Sequence, residues 1–195
     1  MDKYLTTYGD PYCYKGTNVL INLFNIQDIT ILEGLESELT AKASEQINFR
    51  DPPYSLQTMK EIHQTLFGDI YEWAGELRRC DIIKEETRFC NASFLESEAK
   101  RLFSALEKDQ WLSGLMWEPF CEKLAEHYCE FNMLHPFREG NGRTQRILFD
   151  FIANYNDYTI EWSEIERDEW LCANRRGVGM NYDMMTELFK RAVAY

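Results

Sequence analysis

Basic residues are the scarce charge in this chain. Across 195 residues, 21 lysines and arginines face 33 aspartates and glutamates, a formal net charge of −12. A surface of that sign repels phosphate backbones and anionic headgroups, so direct nucleic-acid binding and adhesion to an acidic membrane are not expected. No apolar run approaches the ~20 residues that a membrane span needs, and no membrane partner is expected. The six cysteines (Cys13, Cys80, Cys90, Cys121, Cys129, Cys172) include no Cys-x-x-Cys pair. The chain start, Met1-Asp2-Lys3-Tyr4, lacks a basic-then-apolar signal segment. Reduced thiols in a cytoplasmic protein are therefore expected. Histidine is rare as well, with three residues. A structural zinc site needs four ligands. None can be assembled around His127, Cys129 and Glu130, so His127 reads as packing, as does His63 beside Ile62 and Leu66. Repeats, low-complexity tracts and linkers are missing too. The one marked breaker, Asp51-Pro52-Pro53-Tyr54-Ser55, has similar composition on both sides, which separates helices rather than domains. One domain over residues 1–195 is expected.

The chain is 45% hydrophobic and 14% aromatic, enough for an ordered core. Apolar residues recur at three and four over residues 28–43 (Ile29, Leu32, Leu35, Leu39) and over 55–71 (Met59, Ile62, Leu66, Phe67). Residues 94–107, 118–133, 143–155, 163–174 and 182–193 behave likewise, so the fold class is mainly α with seven or eight helices. The acidic stretch from Glu33 to Glu38 reads as a solvated helix face, and Trp73-Ala74-Gly75 as a packing corner. Residues 79–83 and 87–90 are short, partly β-branched runs around Lys84-Glu85-Glu86, predicting one small hairpin.

Against the global sign, three of the 21 basic residues fall within nine positions, in His135-Pro136-Phe137-Arg138-Glu139-Gly140-Asn141-Gly142-Arg143-Thr144-Gln145-Arg146. Gly140 and Gly142 let backbone N–H groups approach an anion, and the helical character that follows puts them at a helix N-terminus, which favours negative charge. Arg143 and Arg146, three apart, share a helix face, and each guanidinium can fork two phosphate oxygens. Ile147 and Phe151 are expected on the opposite, buried side. Glu139 offers a hard oxygen ligand for magnesium, and His135 titrates near neutrality and can take a proton from a hydroxyl. This set points to a nucleoside triphosphate.

The segment resembles the signature of the Fic family, His-Pro-Phe-x-Asp/Glu-Gly-Asn-Gly-Arg-x-x-Arg, at every specified position. Asp10-Pro11-Tyr12, Tyr71-Glu72-Trp73-Ala74-Gly75 and Thr87-Arg88-Phe89 are similar to segments of the small bacterial Fic toxins. The likeness is looser after about Tyr158. The resemblance implies a Fic fold, a helical bundle around a central motif helix, with the signature loop and helix spanning residues 135–155. It implies AMP transfer from ATP to a Tyr, Ser or Thr hydroxyl of a target protein. His135 would be the base, Phe137 the loop anchor and Glu139 the magnesium ligand. Gly140, Asn141 and Gly142 would hold phosphates, Arg143 would pair with the triphosphate, and Arg146 would set the γ-phosphate. A hairpin flap over residues 79–90 would clamp the target by strand addition, with Ile82, Ile83 and Lys84 lining the dock. Other donors (UMP, phosphocholine, γ-phosphate) and a non-catalytic nucleotide-binding module stand as alternatives, although the intact Gly142 speaks against the kinase-type orientation.

Many members carry an inhibitory Ser/Thr-x-x-x-Glu-Gly/Asn helix. Here Glu33-Gly34 has Ile29 where the hydroxyl residue belongs, and near Thr186 Lys190 stands where the glutamate belongs. The resemblance therefore implies a separate small antitoxin supplying that glutamate in trans to Arg146, and by analogy a type II topoisomerase ATPase subunit as target.

Overall fold

The computed structural model describes residues 4–6 and 10–195; residues 1–3, within the segment that carried the reading of the chain start, lie outside it. After a two-residue strand, β1 (Leu5–Thr6), comes helix α1 (Ile29–Ser44). The Asp28 carboxylate caps α1 by accepting the N–H groups of Thr30 (2.9 Å) and Ile31 (3.1 Å). Helix α2 (Leu56–Phe67) follows. It stops at Phe67 rather than near 71, because the chain turns at Gly68 and the N–H groups of Ile70 and Tyr71 both return to the Phe67 carbonyl.

Strands β2 (Ile82–Lys84) and β3 (Thr87–Arg88) form the expected hairpin, shorter than the pattern suggested and turned through Glu85 at φ +52°. β1 joins them, giving a three-stranded antiparallel sheet in the order β1-β2-β3, with Leu5 opposite Ile83 and Thr6 opposite Ile82. Helix α3 (Leu95–Lys108) buries Leu95, Ala99, Leu102, Phe103 and Leu106, a single helical stripe. Glu96 and Glu98 lie in its first turn and Lys108 in its last, matching the helix dipole.

Helices α4 (Trp117–Leu134) and α5 (Asn141–Tyr155) form the centre. α4 is flanked by α3, α5, α6 (Arg167–Val178) and α7 (Asp183–Ala192), while α5 also packs on α2. The core of Phe120, Phe131, Phe137, Phe149 and Phe189 lies between these helices. On α5 the buried stripe is Thr144, Gln145, Leu148, Phe149 and Ile152; Phe151 is buried as expected, whereas Ile147 is only half-buried. A second ladder, β4 (Thr159–Ile160) with β5 (Val193–Ala194), joins strands distant along the chain and ties the chain end to the bundle. α6 starts later than its pattern because residues 162–164 form a separate short turn.

Arg78, unremarked in the sequence, staples the flap to the bundle. Its buried guanidinium donates to the carbonyls of His135 (2.8 Å), Cys80 (2.8 Å), Leu134 (3.4 Å) and Cys90, and its backbone N–H donates to Pro136 (2.9 Å). Replacement would leave several buried carbonyls unpaired at once. Arg78→Met is expected to cost about 3–5 kcal/mol in urea unfolding; a loss below about 1 kcal/mol would contradict the staple.

Candidate active site

The loop of residues 135–140 joins α4 to α5, and its shape is set from within the core. The fully buried Phe137 ring stacks on His63, centroids 4.0 Å apart, and His63 stacks on Phe67 at 4.6 Å. Nδ1 of His63 accepts the Gly75 N–H (2.9 Å), and Nε2 donates to the Glu139 carbonyl (3.0 Å). Burial pushes this imidazole down to about 4, so it is neutral and structural, as the sequence suggested. Asn141 braces the loop in both directions, accepting the Phe137 N–H and donating to the Phe137 carbonyl, each at 2.8 Å. Its side chain therefore shapes the cradle. Arg138, also buried, is held by Asp10 (Nε to Oδ2 2.7 Å).

His135 ends α4 in a left-handed conformation (φ 39°, ψ 64°), where the following Pro136 disfavours further helix. Its ring is sandwiched on Phe89 (centroids 3.7 Å) and is 7% exposed. Nδ1 donates to the Asn132 carbonyl, which leaves Nε2 as the site with a free lone pair. Burial pushes its pKa down to about 3, aided by the nearby positive charges of Lys84 and Arg78. A neutral imidazole in a fixed tautomer is ready to accept a proton.

Gly140 begins α5 at φ +75°. The first backbone bond of the helix is Thr144 N–H to the Gly140 carbonyl (3.1 Å), so the N–H groups of Asn141, Gly142 and Arg143 have no acceptor within the helix. Arg143 and Arg146 stand beside this N-terminus, but each is positioned by the protein. Arg143 donates to Glu36 (2.5 Å) and Thr40 (3.1 Å), with its guanidinium 4.6 Å from the Phe67 ring centre. Glu36 is 1% exposed and also accepts the Tyr71 hydroxyl, so the acidic face of α1 is not wholly solvated as expected: its central carboxylate is buried because it has two donors. Arg146 lies over the indoles of Trp162 (5.2 Å) and Trp170 (5.5 Å). The Glu139 carboxylate accepts the Gly140 N–H (3.0 Å), and burial, then the charge of Glu36, raises its pKa.

These groups share one cavity of about 330 Å³. His135, Glu139, Gly140, Gly142, Arg143 and Arg146 line its floor, and Lys84, Glu85 and Thr87 of the flap line one wall. The opposite wall is α6: Trp170, Leu171, Asn174, Arg175 and Val178. That size suits a small ligand, and a half-apolar wall facing an anion cradle suits a base joined to phosphates. Sequence reasoning missed the α6 residues; the spacing of Trp170, Asn174 and Val178 at four was the available signal. The Ile82 side chain is fully buried beneath the flap, so any part it takes in docking goes through its backbone; Ile83 and Lys84 are half-exposed.

A Cβ placed on Gly140 would lie 2.3 Å from the Phe67 ring, whereas one on Gly142 would meet nothing within 4 Å. Gly140→Ala is thus expected to destabilise by about 2–4 kcal/mol, from overpacking and a strained φ. Gly142→Ala should stay within about 0.5 kcal/mol, the two being compared by urea denaturation. Equal effects would refute the packed-turn account.

The profile of the Fic/DOC family matches residues 53–153. A probable protein adenylyltransferase Fic of Salmonella typhimurium is 37% identical over 185 residues, covering 95% of this chain and 92% of the relative, and its Escherichia coli counterpart gives the same figures. The protein adenylyltransferase VbhT of Bartonella schoenbuchensis is 38% identical over 94% of this chain but 39% of its own length. Among solved structures, BepC of Bartonella tribocorum with bound AMPPNP superposes with a TM-score of 0.84 at 25% identity, covering 94% of this chain and 96% of that one. With the signature assembled around one cavity, the chain belongs to the Fic/DOC family.

Proposed function

We propose that this site transfers AMP from Mg-ATP to a hydroxyl side chain of a protein, the activity for which its adenylyltransferase relatives are named. The observation that carries the reading is a neutral, tautomer-fixed His135 in the same cavity as the free N–H groups of α5 and two arginines. The enzyme is a nucleotidyltransferase. The attacking oxygen forms a bond to the α-phosphorus, the bond to the β-phosphate oxygen breaks, and pyrophosphate leaves as His135 Nε2 takes the proton. Arg143, held by Glu36, and Arg146, held by its two indoles, meet the phosphates without first having to be ordered, which is how positioned charge lowers a barrier.

The residues fit magnesium. Glu139 presents one half-buried carboxylate to the cavity, and among the described residues no cluster of three or more acidic, histidine or cysteine side chains could hold a metal by itself. A single protein oxygen matches an ion that keeps waters and is carried in by phosphates. When bound, it would neutralise triphosphate charge.

The regulatory part of the proposal is an antitoxin glutamate delivered in trans to Arg146. It is supported by the incomplete inhibitory pattern at Ile29 and Lys190, and by the buried α1 carboxylate, Glu36, which reaches Arg143 instead. A type II topoisomerase ATPase subunit as target belongs to the same analogy, and a cytoplasmic location follows from the cysteine usage.

His135→Ala should still bind nucleotide in calorimetry while transfer falls by roughly 10²–10⁴. Acidity separates the two titrating groups. His135, depressed to about 3, stays unprotonated from pH 8 to 5. Glu139, raised by burial, would protonate as pH falls and would then hold magnesium more weakly. The acid decline in rate should accordingly vanish at saturating magnesium; a decline centred near 6.5 that persists there would show His135 titrating as an ordinary histidine.

A further inference from the structure

Strand β2 has both edges taken. β3 pairs with one, and the chain's own residues 5–6 pair with the other, Leu5 opposite Ile83 and Thr6 opposite Ile82. The β2 edge, where the expected dock residues Ile82 and Ile83 lie, is therefore already filled. The same segment carries Tyr4 into the site. The Tyr4 ring packs edge-on against His135 (centroids 5.8 Å, 73°) and Phe89 (6.0 Å, 74°), and the Arg138 guanidinium lies 5.5 Å from its centre. Its hydroxyl interacts with the Asn141 side chain and lies within the field of the Glu139 carboxylate, beside which it lines the cavity. Behind the main cavity lies a second one of about 210 Å³, lined by Asp10, Glu36, Tyr71 and Arg138 among others; Tyr4 and Glu139 border both. Tyr4 is thus a partition across the floor of the site.

We propose that residues 4–6 are a built-in occupant of the target dock, β1 holding the flap edge and Tyr4 obstructing the phosphate and metal cradle, so that the site opens when the segment lifts away. This rests on the AMP-transfer reading above. Tyr4 lines the cavity together with Glu139, Gly140 and Gly142, the residues proposed for metal and phosphate, so it is assigned to the donor's place and not to the acceptor's. β1 is held by two register pairs, so an incoming target strand offering a longer ladder would displace it. The segment then couples the two substrates: a target that takes the flap edge also clears the cradle for Mg-ATP.

The test is calorimetric titration of Mg-AMPPNP into the full chain, into Tyr4→Ala, and into a chain lacking residues 1–6, with circular dichroism confirming that all three are folded. If the segment is seated in nine of ten molecules, both variants bind about tenfold more tightly than the full chain and alike. Equal affinity in all three overturns the obstruction while leaving the nucleotide site intact. No binding by any folded chain refutes the nucleotide reading itself, and this inference with it. AMP found on Tyr4 by peptide mass spectrometry after incubation with Mg-ATP would make the residue an acceptor, and the obstructing role would fall.

Discussion

The aromatic stack Phe137–His63–Phe67 fixes the six residues between the two central helices, and the catalytic geometry hangs from it. His63 does more than fill space, because its two nitrogens tie Gly75 on one side and the Glu139 carbonyl on the other. Phe67, the far ring of the stack, closes against Gly140 so tightly that no side chain fits there, and also carries the Arg143 guanidinium on its face. One ring stack thus sets the turn, the helix start and an arginine.

Charge is arranged on the same plan. An acidic chain keeps a small positive site by giving each of its arginines a fixed neighbour: Asp10 for Arg138, Glu36 for Arg143, two indoles for Arg146. Carboxylates hold two guanidiniums without filling the cavity, and the indoles hold the third without neutralising it. Unpaired N–H groups at the start of α5 supply positive potential that no titration can remove.

Much of this was legible beforehand, and the limits have physical causes. The signature loop could be read because its chemistry is local: six residues and one helix start contain the proposed base, the proposed metal ligand and the arginines. Helices showed through their periodicity, with ends displaced where Gly68 or the short turn at Trp162 interrupted it. Glu36 was misjudged because its neighbours in sequence are acidic and solvated, and its partners, Arg143 and Tyr71, are distant along the chain. Arg78 gave no signal, since a single arginine bonded to backbone carbonyls leaves no pattern. The α6 wall lay in the stretch where the family likeness fades, and its apolar residues are half-exposed in a cavity rather than buried in a core stripe. β1 is too short to show alternation and takes its meaning only from pairing with β2.

The central claim is AMP transfer to protein by this loop, and isotope position tests it most directly. The purified chain is incubated with a cell lysate, magnesium and ATP labelled at either the α- or the γ-phosphate, beside the His135→Ala variant. The account predicts label on a protein band from α-labelled ATP only, lost in the variant. Label from γ-labelled ATP only, or α-label retained by the variant, would contradict it.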